Sequence, residues 1–379
     1  MPPVNVDHLN KVAVVAYRLM EPFRFDEQCQ LRDVVPGDVL VRPTMASVCA
    51  ADVRYYTGSR RPEALRKKLP MALIHEAVGV VNDPLGSSLA RGQRVVMVPN
   101  IPGYIHSPDL FAGPDACCRA CGALGVGENH CANCRFVSSG YDGFLMDQLL
   151  HPMDCLVPIP EDVPDDVAVL SELVTVAYNA AKRVRNLPAN AIFLILGDGP
   201  VGYLMAVILQ QLYRLERERL YVVGLTEEKL KSFDFATTIC LPDDPGLSTL
   251  PAFDVGFECV GGAPSMQAIN DAIRCAQPGA ELFLLGVSEE FVPLNTRDIL
   301  EKGMTLHGVS RSPRQDYAPV LELMRHSVMQ ERLRRVLTFP RRTFSDVESL
   351  VEIFEAAAQK SAWGKVVFDY ALSAPMEGR

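Results

Sequence analysis

Residues 191–213 read AIFLILGDGPVGYLMAVILQQLY. A short apolar run meets a glycine-rich turn, and an apolar segment of helical length follows. Gly197, Gly199 and Gly202 stand at that junction in the spacing G-x-G-x-x-G. The first glycine permits a tight turn, the second lets backbone approach a pyrophosphate, and the third allows the helix to pack closely on the strand. The spacing alone is a weak signal, but a strand before it and a helix after it are the context it requires. Pro200 and Val201 lie between the second and third glycines, so the expected phosphate-binding loop comprises Gly197, Gly199, Pro200, Val201 and Gly202.

Downstream, LYVVGL, FDVGFECV, AELFLLGV and MTLHGVS alternate with helical patterns. That order predicts an α/β unit with a doubly wound parallel sheet. An NAD site usually carries an acidic residue at the end of the second strand, about 20 residues on, to bind the ribose 2′-hydroxyl. Here the chain reads YVVGLTEEKL, with Gly224 and Leu225 at the expected place and Thr226 and Lys229 close behind. The acid that would repel a 2′-phosphate is missing, which favours NADP(H). A register two or three residues further on would bring in Glu227 or Glu228 and turn the preference back to NAD.

Upstream, KVAVVAYRL, DVLVRPTMASV, AVGVVNDP and QRVVMVP are apolar, β-branched and punctuated by Pro, Gly and Asp. They predict short strands of a mostly antiparallel, barrel-like domain. Cys49 leaves one strand end, and the adjacent His75 and Glu76 precede another. Thiolate, imidazole and carboxylate suit zinc, and three protein ligands leave a position open for substrate. The plainer alternative is a buried thiol and a polar strand end at a surface turn. Between Cys49 and His75 lie Arg54, Arg60, Arg61, Lys67 and Lys68, with Asp52 and Glu63 as the acids. These cations are candidates to hold a phosphate, since a planar guanidinium grips phosphate oxygens in pairs; the alternative for each is a solvated surface charge.

Charge and cysteine usage narrow the setting. A net charge of -9 gives no overall field for nucleic acid or anionic lipid, so any bound anion must meet a local basic cluster. Hydrophobic residues at 48% and charged residues at 22% fit a soluble enzyme. The start has no signal-peptide pattern and no run reaches membrane-span length, so a cytoplasmic protein is expected. Five of the 11 cysteines crowd into 117–134. Cys118-x-x-Cys121 and Cys131-x-x-Cys134 have the spacing of a closed structural zinc site, with Cys117 as a competitor for Cys118. The closing WGKVVFDY reads as a strand able to rejoin the first domain. The expected division is 1–163 with 313–379, carrying a cysteine lobe at about 113–136, and a nucleotide domain at 164–312.

The segments CAADVRYYTG, KKLPMALIHEAVG, SSGYDGF, SELVTVAY, GDGPVGY, FECVGG, LLGVSEEFVPLNTRDILEKGMTLHGVSRS and WGKVVF span nearly the whole chain. In them the chain resembles the zinc-dependent medium-chain alcohol and polyol dehydrogenases, and among these the ribulose-5-phosphate reductases, or ribitol-5-phosphate dehydrogenases. The resemblance implies a GroES-like, mostly β catalytic domain interrupted by a Rossmann domain. It implies Cys49, His75, Glu76 and Glu172 as catalytic zinc ligands, a sugar-phosphate substrate, and a homo-oligomer, dimer or tetramer. Two departures stand out. The four cysteines are spread more widely than in the superfamily, and the reductases often lack that lobe. Ala51 also stands where many members carry a proton-relaying hydroxyl, which leaves Asp52, a zinc-bound water with Glu76 or Glu172, or the substrate's hydroxyls for proton delivery. The expected reaction is reversible hydride transfer between NADP(H) and a ketose carbon polarised by zinc. Arg54 is the first candidate for the substrate phosphate, with Arg311 and Arg314 as reserves. The competing readings are a zinc dehydrogenase of an unphosphorylated polyol or cyclitol, and a non-catalytic protein that binds NADP(H) or zinc.

Overall fold

The computed structural model describes residues 11–107, 127–185, 187–359 and 363–372. Along the chain, the first strands are β1 (Lys11–Glu21), β2 (Arg24–Asp33), β3 (Asp38–Ser47), β4 (Met71–Ala72), β5 (Glu76–Asp83) and β6 (Arg94–Met97). There follow β7 (Asn100–Ile101), β8 (Arg135–Phe136), β9 (Leu149–Pro152) and β10 (Leu156–Pro158). The next group is β11 (Phe193–Leu196), β12 (Leu220–Gly224), β13 (Thr237–Cys240), β14 (Phe253–Glu258), β15 (Ala276–Leu284) and β16 (Thr305–Gly308), before β17 (Arg342–Phe344) and β18 (Val367–Tyr370) close the chain.

The strands from both chain ends share one sheet, in the order β10-β6-β5-β3-β18-β17, with β9 also paired to β3. β1 and β2 form an antiparallel hairpin extended by β4. Because β3 runs antiparallel to both β5 and β18, Ser47 faces Glu76 on one side and Val367 on the other. Three segments distant in sequence therefore end at one place: the exit of β3 toward Cys49, the start of β5 at Glu76, and the approach to β18 at Lys365. The closing strand does rejoin the first sheet.

β11 to β16 form a second sheet in the order β13-β12-β11-β14-β15-β16, every neighbouring pair parallel. Its direction of winding reverses between β11 and β14, where a doubly wound sheet opens a crevice for a ligand. β11, FLIL, is buried along its length, as a central parallel strand covered on both faces must be. The glycine turn follows it directly. Gly197 has φ +121°, and a Cβ on Gly202 would lie 2.0 Å from the carbonyl oxygen of Gly197, so the helix Pro200–Tyr213 can start there only with glycine at that place. At the neighbouring strand end the buried Glu258 carboxylate accepts from the amides of Val260, Gly261 and Gly286 and from the Ser265 hydroxyl, which ties the ends of β14 and β15 together. Among the described residues no helix is long and apolar enough to cross a membrane.

Candidate active site

Cys49 caps the helix α1 (Ala50–Tyr56), and Asp52, in its first turn, reaches back so that Oδ2 accepts from the Cys49 amide at 3.1 Å. A carboxylate at this position satisfies an otherwise orphaned amide and favours the helix dipole. Its other oxygen accepts from the Ile74 amide at 3.2 Å and the Ser138 hydroxyl at 3.0 Å. The same Ser138 oxygen lies 3.0 Å from His75 Nδ1. A relay in which Nδ1–H donates to Ser138, and Ser138 donates to Asp52, uses each donor once and leaves Nε2 for a metal. Burial opposes charge on Asp52, but His75 and these hydrogen bonds hold its carboxyl below the usual range. With both oxygens occupied and no exposure, Asp52 is placed to orient His75 and Cys49 rather than to exchange protons with solvent.

Glu76 is fully buried beside Lys365, whose ammonium lies 2.8 Å from Oε1 and 2.6 Å from Oε2. The Ser47 hydroxyl donates to Oε2 as well. Cys49 Sγ, a ring nitrogen of His75 and a carboxylate oxygen of Glu76 all lie within 4.8 Å of one another. This donor set is chemically suited to zinc. Glu172, in the first turn of the helix Ser171–Ala181, is buried outside that close set but within reach of its charges. Burial pushes its carboxyl up to about 7, with His75 pulling down and Glu76 pushing up. The ring of Phe136 covers His75 at a centroid distance of 5.4 Å, and the Arg311 guanidinium covers Phe136 at 4.3 Å.

The basic candidates divide into two groups. Arg54, Arg60 and Arg61 converge on one carboxylate, Glu289, in the segment after β15. Lys68 instead donates to Ser139 at 2.8 Å, and Lys67 is exposed. Arg314 is held by Tyr104 and Glu128, and Arg311 lies 3.2 Å from Cys134 Sγ, so both reserves have partners elsewhere. Cys131 is buried and Cys134 half-buried, one turn apart; Cys117, Cys118 and Cys121 lie outside the described residues.

Around the glycine loop, Gly199 precedes the helix Pro200–Tyr213, with Pro200 and Val201 as its first residues. Gly224 ends β12, followed by the exposed Thr226 and by Lys229 in the short helix Glu227–Leu230. An unforeseen group is Asp198, whose Oδ2 accepts from the amides of Leu225 and Thr226 at 2.9 Å each. A Cβ on Gly224 would lie 2.7 Å from that of Asp198. Glycine is therefore needed at 224 to admit a carboxylate that arrives from the loop instead of from the strand. Lys365, Ser138 and Glu289 were likewise missed; only the histidine next to a glutamate hinted at needing partners.

A family model for the alcohol dehydrogenase GroES-like domain matches residues 35–161. Ribulose-5-phosphate reductase 2 of Staphylococcus aureus (strain NCTC 8325 / PS 47) is 38% identical over 363 residues, 94% of this chain and 98% of the relative. Ribulose-5-phosphate reductase of Bacillus spizizenii is also 38% identical, over 93% of this chain and 98% of its own length. The crystal structure of S. aureus TarJ in complex with NADPH superposes with a TM-score of 0.78 at 34% identity, covering 95% of this chain and 99% of that one.

Proposed function

The chain belongs to the ribulose-5-phosphate reductases, medium-chain dehydrogenases with an alcohol dehydrogenase GroES-like domain, and from that membership we propose that it reduces D-ribulose 5-phosphate to D-ribitol 5-phosphate, reversibly, with NADPH. The observation that carries the reading is the convergence of three guanidinium groups on the segment that leads out of Cys49, with Arg54 within electrostatic reach of Cys49 itself. Zinc held by Cys49 and His75, with Glu76 or Glu172 in reach, would polarise the ketose carbonyl, while NADPH laid along the glycine loop would supply the hydride.

The chain's own residues do the rest. Asp52 and Ser138 fix the ring of His75, and Lys365 with Ser47 fixes the carboxylate of Glu76. Glu172 can hold or release a proton near neutral pH, a task left open by Ala51. The arginines would anchor the far end of a five-carbon sugar phosphate, so that remote binding energy orients the reacting carbon. Thr226 and Lys229 stand ready for the 2′-phosphate of the cofactor.

NADPH oxidation should be followed with ribulose 5-phosphate, ribulose and several cyclitol ketones. The phosphorylated ketose should lead in kcat/KM by about a hundredfold, as two charge-assisted contacts of about 1.5 kcal/mol each allow. Equal rates with unphosphorylated ketoses would replace this reading by a polyol or cyclitol dehydrogenase. The ion pairs to Glu289 are what favours that second reading, since they neutralise part of the basic cluster.

A further inference from the structure

We infer that Glu289 is a displaceable internal occupant of the phosphate site, holding the arginine cluster until a phosphomonoester dianion takes its place. This rests on the reading that Arg54, Arg60 and Arg61 receive the substrate's phosphate. Glu289 lies 2.9 Å from Arg60 Nη1, 3.5 Å from Arg61 Nε and 3.7 Å from Arg54 Nε. Only the first is a good hydrogen bond. The Nε atoms of Arg54 and Arg60 are both buried with no hydrogen-bond partner. One carboxylate thus faces three cations and leaves inward-facing donors unused. A phosphate dianion in place of Glu289 brings one more negative charge and three terminal oxygens, and so lowers the net surplus of the three guanidinium groups from two charges to one.

Two further features suit displacement. The Arg60 guanidinium stacks over the ring of Tyr55, itself buried in the core, at 4.7 Å, so the arginine keeps its place when the carboxylate departs. Near Glu289 the side chains of Val287 and Phe291 are exposed, so neither holds the segment to the core, and the nearest backbone tie is the Val287 carbonyl, which accepts from the Gly262 amide. The carboxylate comes from the nucleotide-binding sheet while the arginines come from the metal-binding part. Occupation by a phosphate would therefore release a tie between the two. An unphosphorylated ketose has no group able to take over the ion pairs, which makes Glu289 a device for phosphate selectivity as well as a place-holder.

The test uses full-length, zinc-replete enzyme with NADPH and the variants Glu289→Gln, Glu289→Asp, Arg54→Ala and Arg60→Ala. Removing the competing charge in Glu289→Gln should lower both the KM for ribulose 5-phosphate and the inhibition constant of inorganic phosphate, each three- to tenfold, with Glu289→Asp nearer to wild type. Binding of inorganic phosphate, followed by calorimetry without turnover, should tighten by the same factor. An unchanged or weakened phosphate affinity in Glu289→Gln, with the arginine variants still impaired on the phosphorylated substrate, overturns the inference and leaves Glu289 a structural tie. If neither arginine variant loses preference for the phosphorylated substrate, the phosphate reading itself falls, whatever Glu289 does.

Discussion

Replacing Lys365 by methionine should test how the charges of the candidate metal site are balanced. Lys365 is 6% exposed and Glu76 not at all, and their ion pair is held at 2.6 and 2.8 Å. Burial works against charge on Lys365, yet Glu76 and then Cys49 raise its pKa, so the ammonium is bound where negative groups gather. Methionine keeps most of the volume and removes the charge, which strands Glu76 with only the Ser47 hydroxyl. Breaking one side of a buried pair costs about 3–5 kcal/mol, and replacing both sides by neutral groups costs far less. Urea denaturation can be followed by the fluorescence of Trp363, the single tryptophan, which lies two residues from the mutated site and donates its indole N–H to the Arg335 carbonyl. In metal-free protein Lys365→Met should lose several kcal/mol, and Glu76→Gln/Lys365→Met should recover most of it. Zinc should rescue the single variant more than it stabilises wild type, because the stranded carboxylate becomes available to the metal. Metal-free Lys365→Met as stable as wild type would refute the reasoning, as would a double variant as unstable as the single.

Three other predictions concern separate parts of the molecule. Cys49→Ser should lose turnover and most of the zinc at the catalytic site while its circular dichroism stays native; full zinc retention by equilibrium dialysis would count against Cys49 as a ligand. NADPH should exceed NADH in kcat/KM, and Lys229→Ala should reduce that ratio about tenfold through loss of a phosphate contact worth about 1.4 kcal/mol; an unchanged ratio would put the 2′-phosphate elsewhere. His151, fully buried and donating to the Val98 carbonyl, has its pKa lowered by burial to about 4. The unfolded chain takes up that proton first, so stability should be full above about pH 6.5 and fall as pH drops toward 4, by at most about 3 kcal/mol. His151→Gln should flatten that part of the pH profile of Tm, and an unchanged slope would assign acid lability to other groups.

The nucleotide-binding sheet was legible in the sequence because strand, glycine turn and helix follow one another within 23 residues and each carries its own local signal. Cys49, His75 and Glu76 were legible because their side chains have ligand chemistry and stand at strand ends. What such reading misses is the counter-charge. Lys365 reaches Glu76 from 289 residues away, through the pairing of β18 with β3, and no window of sequence contains both. Ser138 meets His75 from a backbone with φ 58°, a conformation that non-glycine residues seldom take and that the sequence does not announce.

The same blindness bears on the two candidate phosphate sites. The missing acid at Gly224 was read correctly from the strand, but Asp198 delivers a carboxylate to the same strand end from the preceding loop. Of the five cations read between Cys49 and His75 as candidates for a phosphate, Arg54, Arg60 and Arg61 come together while Lys67 and Lys68 do not, and Glu289 arrives from the segment after β15 to meet the three. In both places the group predicted to receive phosphate faces a carboxylate supplied by tertiary structure. A phosphate entering the arginine site must therefore compete with an internal anion as well as leave water, so its net contribution is a difference between two charge-assisted contacts. A donor count from sequence overstates affinity there. It does not overstate selectivity, because a neutral hydroxyl at the same position would have to displace the same carboxylate with no charge to offer in exchange.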